Sequence, residues 1–157
     1  MQNGNKVTSI SPVNQFTSYK NMMGNRTIYT FGVDVGSSII KVVLMSYSDS
    51  PVIIDKENEK IRKRNPEMVA NQLIDHVLEK NNLKYTDITY LATTGEGEML
   101  KRKRGHFYSM TTHAKGANYF FPDAKTVVDM GALFVRAIKI SPDARVLDYK
   151  MTGQCAS

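Results

Sequence analysis

Short apolar runs, interrupted by glycine, aspartate and serine, begin at Ile28 and continue to residue 150. Runs of this length bounded by turn residues predict β-strands joined by tight turns. The predicted strands cover residues 28–33, 39–46, 52–55, 88–92, 125–130, 135–140 and 146–150. Because only residues 34–38 separate the first two strands, these are expected to pair as an antiparallel hairpin.

One segment has its apolar residues at helical spacing instead. Asn65 is a suitable N-cap and Pro66 a suitable first helical residue, and Asn81 and Asn82 are expected to end the helix. The apolar stripe consists of Val69, Leu73, Ile74, Val77 and Leu78. His76 lies off this stripe, so it is predicted to face solvent rather than bind a ligand.

A polar turn follows the strand at 88–92 and contains Thr94 and Glu96. In open α/β sheets ligand sites lie at the carboxyl ends of strands, which makes this turn a candidate site. A second helix is expected over 112–120, where Gly116 and its small neighbours would allow close packing.

This order of strands and helices predicts an α/β fold, and 157 residues are enough for one domain with its own core. Lys and Arg exceed Asp and Glu by 21 to 15, giving a net charge of +6. Part of the excess lies in two runs, 62–64 and 101–104, interpreted as solvated loops; contact with nucleic acid or with an acidic partner is the alternative. No aromatic residues alternate with these charges, so nucleic-acid binding is not expected.

Residues 1–27 are polar and contain no apolar segment typical of a signal peptide, so they are interpreted as a disordered leader. The longest apolar runs are far shorter than the roughly 20 residues of a membrane span, and no membrane association is expected. Cys155 is the single cysteine, which excludes an intrachain disulfide and favours a reducing cytoplasm.

The turn between the first two strands contains Asp34, Gly36, Ser37 and Ser38, with Lys41 just beyond. Backbone N–H groups and hydroxyls in such a turn can face a phosphate, and the carboxylate can face a hydrated Mg²⁺. Gly36 lets the backbone approach closely. Lys41 would neutralise phosphate charge or lie on the outer face of the sheet. A plain hairpin with a structural aspartate would show the same pattern.

The same pattern recurs about 100 residues later, where Asp129 and Gly131 follow an apolar strand and precede another. A phosphate clamp needs two such turns, one on each side of the nucleotide. The second copy therefore favours phosphate binding over a plain hairpin.

The paired turns resemble the two phosphate loops of the ATPase superfamily that includes sugar kinases, Hsp70 and actin. More narrowly, the chain is similar to the family of benzoyl-CoA reductase ATPase subunits and 2-hydroxyacyl-CoA dehydratase activators. The segments that carry this resemblance are 92–98, 105–117, 129–133 and 150–157. It implies that residues 28–157 form the N-terminal lobe of an actin/Hsp70-like (ribonuclease H-like) ATPase, with a mixed sheet, flanking helices and no second lobe.

Two departures favour the D-type reductase subunits over the activators. Residues 93–97 are Thr-Thr-Gly-Glu-Gly, where activators typically have Ala-Thr-Gly-Tyr-Gly. Residues 129–134 are Asp-Met-Gly-Ala-Leu-Phe, where activators have Asp-Ile-Gly-Gly-Gln-Asp. Leu133 and Phe134 cannot contact phosphate as Gln and Asp do, so this chain is expected to bind ATP but hydrolyse it poorly.

The resemblance also implies roles for single residues. Asp34 and Asp129 would be the catalytic carboxylates that hold hydrated Mg²⁺. Five residues would contact the phosphates of ATP: Gly36, Ser37, Ser38, Lys41 and Gly131. Cys155 would bind iron of a 4Fe-4S cluster shared between two subunits, a free thiol being the alternative. His106 and His113 are expected to make structural hydrogen bonds or subunit contacts rather than bind a metal.

The function implied is an ATP-dependent electron-transfer subunit of benzoyl-CoA reductase. Its partners would be a homologous ATPase subunit, ferredoxin and the ring-reducing subunits, and CoA would not contact it. A dehydratase activator and a non-catalytic scaffold are the alternatives. If the chain is an N-terminal fragment, as the resemblance suggests, it is expected to bind ATP only weakly by itself and to hold no cluster.

Overall fold

The computed structural model describes residues 27–131 and 134–153. They form two β-sheets and two α-helices. The larger sheet contains β1 (Ile28–Val35), β2 (Ile39–Tyr47), β3 (Pro51–Lys60), β4 (Ile88–Gly95) and β5 (Gly105–His106), in the spatial order β3-β2-β1-β4-β5. The smaller sheet contains β6 (Thr126–Met130), β7 (Phe134–Ile140) and β8 (Val146–Gly153), in that order. The helices are α1 (Pro66–Lys80) and α2 (Ser109–Phe120).

The larger sheet is mixed. β1, β2 and β3 form an antiparallel meander, and β4 runs parallel to β1 on its other side. The predicted hairpin and the predicted α/β class with a mixed sheet are therefore confirmed. Because β1 and β4 are parallel, their carboxyl ends lie at one edge of the sheet, and Asp34 is the register partner of Thr94.

The main core lies between this sheet and α1. Alternate residues of β1 and β2 face the helix, as expected for strands with one apolar face. Those buried on the strands are Phe31, Val33, Val35, Ile40, Val42 and Leu44. All five apolar positions predicted for α1 are buried as well. Their burial supplies most of the driving force that holds the helix on the sheet.

The start of α1 is as predicted, because the Met68 N–H donates to Asn65 Oδ1 at 3.0 Å. Replacing Asn65 by alanine is expected to lower the free energy of unfolding by about 1 kcal/mol, the usual cost of a lost N-cap. Urea titration of the variant would measure this loss. Asn58→Ala, an exposed change on β3, is the control and should stay within about 0.5 kcal/mol. An equal loss in both variants would contradict the capping role.

The smaller sheet has a separate core. It consists of Ala114 of α2 with Ile138 and Ile140 of β7. Partly buried apolar residues between positions 110 and 146 pack against these three. The three strands repeat the antiparallel order of β1, β2 and β3. The sequence predicts one lobe over residues 28–157. The described part of this range contains two sheets, each with its own cluster of buried apolar side chains.

Several bounds differ from those predicted. β3 extends to Lys60 because its charged second half still pairs through the backbone with β2. β5 is only two residues long, too short for any apolar pattern. α2 begins at Ser109 rather than at residue 112. Gly116 is exposed with no atom close to where a Cβ would lie, so it does not serve close packing.

The basic runs lie mainly at the surface. Arg62, Lys63 and Arg64 are exposed as expected. Arg102 is half-buried, because its guanidinium lies 4.5 Å from the Tyr85 ring centre and 2.6 Å from an Asp75 oxygen. Among the helices within the described ranges, none is long and apolar enough to cross a membrane. The predicted leader, except for residue 27, and Cys155 lie outside the described residues.

Candidate functional site

A cleft of about 360 Å³ is lined by both Asp-x-Gly turns, together with residues of β4 and α2. Of the residues proposed from the sequence to contact Mg²⁺ or the phosphates, all that fall within the described ranges line this cleft. They are Asp34, Gly36, Ser37, Ser38, Lys41, Asp129 and Gly131. The fold thus brings together two turns that are about 100 residues apart in the chain.

The first turn is closed by a hydrogen bond from the Gly36 N–H to the Ile39 carbonyl oxygen, at 3.1 Å. A Cβ on Gly36 would lie 2.9 Å from that oxygen, so a side chain would force the turn open. Ser37 and Ser38 are exposed at the tip. Because the Gly36 N–H is already used, donors for a phosphate would come from the two serines.

Asp34 and Lys41 are register partners on β1 and β2. Lys41 Nζ lies 3.0 Å from Asp34 Oδ2, and the lysine side chain is 61% exposed. Ion pairs this exposed contribute little free energy and exchange readily with other ions. Both residues line the cleft. Lys41 alternates along β2 with Ile40 and Val42, which are buried in the main core, so it lies on the opposite face of the sheet and at the cleft.

The end of β4 packs directly on this turn. Gly95 has φ +64°, and a Cβ there would lie 2.4 Å from the Val35 carbonyl oxygen and 3.0 Å from Asp34 Oδ1. The next N–H, that of Glu96, donates to the same Val35 oxygen at 2.8 Å. Gly95 therefore lets β4 hold the backbone beside Asp34 in place.

Of the two polar residues singled out in this segment, only Glu96 lines the cleft. The Thr94 hydroxyl instead donates to the Phe107 carbonyl oxygen at 2.7 Å, which ties β4 to the segment before α2. His106 Nδ1 lies 3.0 Å from Thr93 Oγ1, so this histidine makes a structural hydrogen bond as predicted.

The second turn is closed by a hydrogen bond equivalent to that of the first. The Gly131 N–H donates to the Phe134 carbonyl oxygen at 3.0 Å, five residues after the aspartate, as Ile39 is in the first turn. Asp129 and Arg136 are register partners on β6 and β7. In each turn a basic residue follows the aspartate by seven positions and lies beside it. The repeated Asp-x-Gly pattern and Lys41 were recognised in the sequence, but the corresponding basic residue of the second turn, Arg136, was not.

Asp129 is held far more tightly than Asp34. Arg136 donates to Asp129 Oδ2 from Nε at 3.0 Å and also from Nη2. His113 Nδ1 lies 2.9 Å from the same oxygen. Arg136 Nη2 also donates to Ser109 Oγ at 3.0 Å, and its guanidinium lies 4.4 Å from the Phe134 ring centre. His113, Ser109 and Arg136 all line the cleft, and none of them was predicted to belong to it.

Burial by itself would raise the pKa of Asp129, but the hydrogen bonds and positive charges of His113 and Arg136 outweigh it and lower that pKa. A carboxylate whose pKa is lower in the folded state stabilises the fold above its unfolded-state pKa of about 3.9. This contribution is lost as the pH falls through the folded-state pKa.

The difference in unfolding free energy between the native chain and Asp129→Asn is therefore expected to shrink as the pH is lowered from 6 towards 3. Urea titrations at several pH values would measure it, and NMR titration of the Asp129 carboxyl carbon would locate the pKa. A difference that stays constant over this range would contradict the role assigned to the ionised carboxylate.

Within residues 27–131 and 134–153, no group of three or more His, Cys, Asp or Glu side chains is arranged to hold a metal ion. A Mg²⁺ ion bound with a nucleotide needs less, because it takes one or two carboxylates and fills its other positions with water and phosphate oxygens. Asp34 fits this requirement, since Lys41, its ion-pair partner, is exposed.

Comparison with known proteins identifies the fold and the family. The chain is 47% identical over 129 residues to the D-type subunit of benzoyl-CoA reductase from Thauera aromatica, covering 82% of this chain and 46% of that protein. It is 27% identical to the solved Acidaminococcus fermentans (R)-2-hydroxyglutaryl-CoA dehydratase component A, with a TM-score of 0.71 over 83% of this chain and 49% of that one. The activator of 2-hydroxyisocaproyl-CoA dehydratase from Clostridium difficile, solved with ADPNP, has the same fold with a TM-score of 0.70 and 24% identity, over 82% of this chain and 47% of that one.

The chain spans about half the length of these relatives. Both branches of the family named from the sequence are present among them, and the predicted actin/Hsp70-like fold class is confirmed. The model of one family matches residues 31–157, nearly all of the part with apolar patterning. The chain therefore belongs to the BadF/BadG/BcrA/BcrD ATPase family.

Proposed function

We propose that this chain forms the phosphate-binding part of an ATP-dependent electron-transfer subunit of a benzoyl-CoA reductase. The observation that carries the proposal is the pair of Asp-x-Gly turns, closed by equivalent hydrogen bonds and facing one cleft. The 47% identity to a benzoyl-CoA reductase protein favours the reductase branch of the family.

Each part of the cleft has a role in this proposal. Asp34 would orient the water shell of Mg²⁺, and Ser37 and Ser38 would donate hydrogen bonds to phosphate oxygens. Gly36 and Gly131 would allow the two turns to approach the phosphates, their own N–H groups being used to close the turns. When bound, Mg²⁺ would neutralise negative charge on the phosphates. Since residues 133 and 134 are apolar, this subunit is proposed to bind ATP but to hydrolyse it poorly.

An iron–sulfur cluster would supply one-electron transfer in the complete complex. Four thiolates normally hold such a cluster, and this sequence contains one cysteine, Cys155. The chain could therefore contribute one ligand, with the others coming from elsewhere, which agrees with a cluster shared with a homologous ATPase subunit. Ferredoxin would be the electron donor and the ring-reducing subunits the acceptors.

The test is to isolate the native complex under anoxic conditions through a tag on this protein. With reduced ferredoxin, it is expected to reduce benzoyl-CoA only when ATP is present, and Asp34→Asn should abolish this ATP-dependent reduction. Lys139→Met, an exposed change on β7 outside the cleft, is the control and should retain activity. If the isolated complex shows no ATP-dependent activity, the proposal is refuted and a non-catalytic scaffold is favoured.

The second candidate is an activator of a 2-hydroxyacyl-CoA dehydratase. It is favoured by the TM-score of 0.71 to the dehydratase component from Acidaminococcus fermentans. The same preparation distinguishes the two, because an activator would restore ATP-dependent dehydration of a 2-hydroxyacyl-CoA and leave benzoyl-CoA unchanged.

A further inference from the structure

The two turns are closed by equivalent hydrogen bonds but use their aspartates differently. The Asp34 side chain is 25% exposed and its partner Lys41 61% exposed. The Asp129 side chain is 12% exposed and its partner Arg136 only 7%. The first carboxylate thus faces solvent within the cleft, and the second is enclosed by its partners.

Asp129 does not fit the role of a magnesium ligand. Two nitrogens of Arg136 and one of His113 converge on Oδ2. Two positive or partly positive groups beside a carboxylate also repel a divalent cation. To recruit Asp129, the ion would have to approach a carboxylate whose Oδ2 is held by an arginine that is itself fixed by the Ser109 hydroxyl and the Phe134 ring.

The same contacts give Arg136 and His113 a fixed position in the wall of the cleft. An arginine already oriented by a carboxylate loses little side-chain entropy when it binds a second anion, and its planar guanidinium suits phosphate oxygens. Arg136 lies beside the turn whose residues 132–134 are apolar in sequence. It would therefore supply phosphate contacts that the apolar side chains of these residues cannot make.

We propose that the two aspartates have separate roles, an inference that rests on the proposed nucleotide site. Asp34 is the carboxylate that faces the divalent cation. Asp129 is a positioning residue that holds Arg136 and His113 towards the phosphates, so the second turn binds the nucleotide through fixed hydrogen-bond donors rather than through the metal.

The proposal is tested by measuring nucleotide affinity with and without Mg²⁺. The ¹⁵N-labelled chain is titrated with ATP in EDTA and with Mg·ATP at equal ionic strength, and amide shifts of the two turns report millimolar as well as tighter binding. The ratio of the two affinities isolates the contribution of the metal, and the affinity for ATP in EDTA reports the phosphate contacts without the metal.

Asp34→Asn is expected to bring the ratio close to 1 while leaving the affinity for metal-free ATP nearly unchanged. Arg136→Met should weaken both affinities by roughly tenfold, the usual loss for a charge-assisted hydrogen bond to phosphate, and leave the ratio unchanged. Asp129→Asn should resemble Arg136→Met with a smaller loss, and Arg136→Lys should recover part of the affinity.

Lys139→Met on the same strand removes an equal charge outside the cleft and should change neither value by more than about twofold, since distant surface charges are screened. If a single replacement prevents folding, the neutral pair Asp129→Asn with Arg136→Met replaces it and should still show an unchanged ratio. Loss of the metal dependence in Asp129→Asn, or unchanged affinities in Arg136→Met, would overturn the inference. Absence of any binding by the native chain would instead overturn the proposed nucleotide site and the inference with it.

Discussion

Replacing Gly95 by alanine is expected to lower the free energy of unfolding by about 2–4 kcal/mol and to weaken nucleotide binding at the cleft. A non-glycine residue at φ +64° costs about 1–2 kcal/mol, and a methyl group 2.4 Å from the Val35 oxygen adds a backbone shift of similar cost. That shift would move the turn that carries Asp34. Urea titration measures the first effect and an NMR titration with Mg·ATP the second.

Gly116→Ala provides a matched control, because this glycine lies in the middle of α2 with no atom within 4 Å of the added Cβ. The same chemical change should there raise stability by about 0.5–1 kcal/mol through helix propensity. If both variants gained stability, the backbone at Gly95 could not have the conformation described.

Replacing Arg136 by methionine is expected to destabilise the chain by about 2–4 kcal/mol, because it leaves the Asp129 carboxylate largely enclosed without its arginine partner. Asp129→Asn should cost less, since the arginine retains the Ser109 hydroxyl and the Phe134 ring. Combining the two replacements should cost less than the sum of the single changes. Unfolding free energies of all four proteins complete a double-mutant cycle.

Lys41→Met with Asp34→Asn is the corresponding cycle in the first turn. That pair is exposed, so its coupling energy should be below about 1 kcal/mol. Equal coupling energies in the two cycles would contradict the difference in burial on which the distinction between the aspartates depends.

The elements with strong local signals could be predicted from the sequence. The buried face of α1 and its cap were predicted correctly because apolar spacing, an N-cap and a first-turn proline all indicate one structure. The two Asp-x-Gly turns were located for a similar reason, since each lies between strongly apolar strands. All of these features depend on residues close together in the chain.

The rest of the site depends on contacts between distant segments. His113 and Asp129 are brought together only when α2 packs against the second sheet, and no spacing in the sequence indicates that contact. Arg136 could have been found, because in an antiparallel pair it lies opposite Asp129 just as Lys41 lies opposite Asp34. The identities of these residues were visible in the sequence, but their association is a property of the tertiary structure.

The extension of β3 to Lys60 also affects how the protein behaves at high concentration. β3 is an edge strand of the larger sheet, so one side of its backbone carries N–H and C=O groups that could pair with another molecule. Its second half, residues 55–60, consists almost entirely of charged side chains, and a proline begins the strand. Charges and proline on an exposed edge oppose intermolecular strand pairing, so this strand protects the sheet from edge-to-edge aggregation.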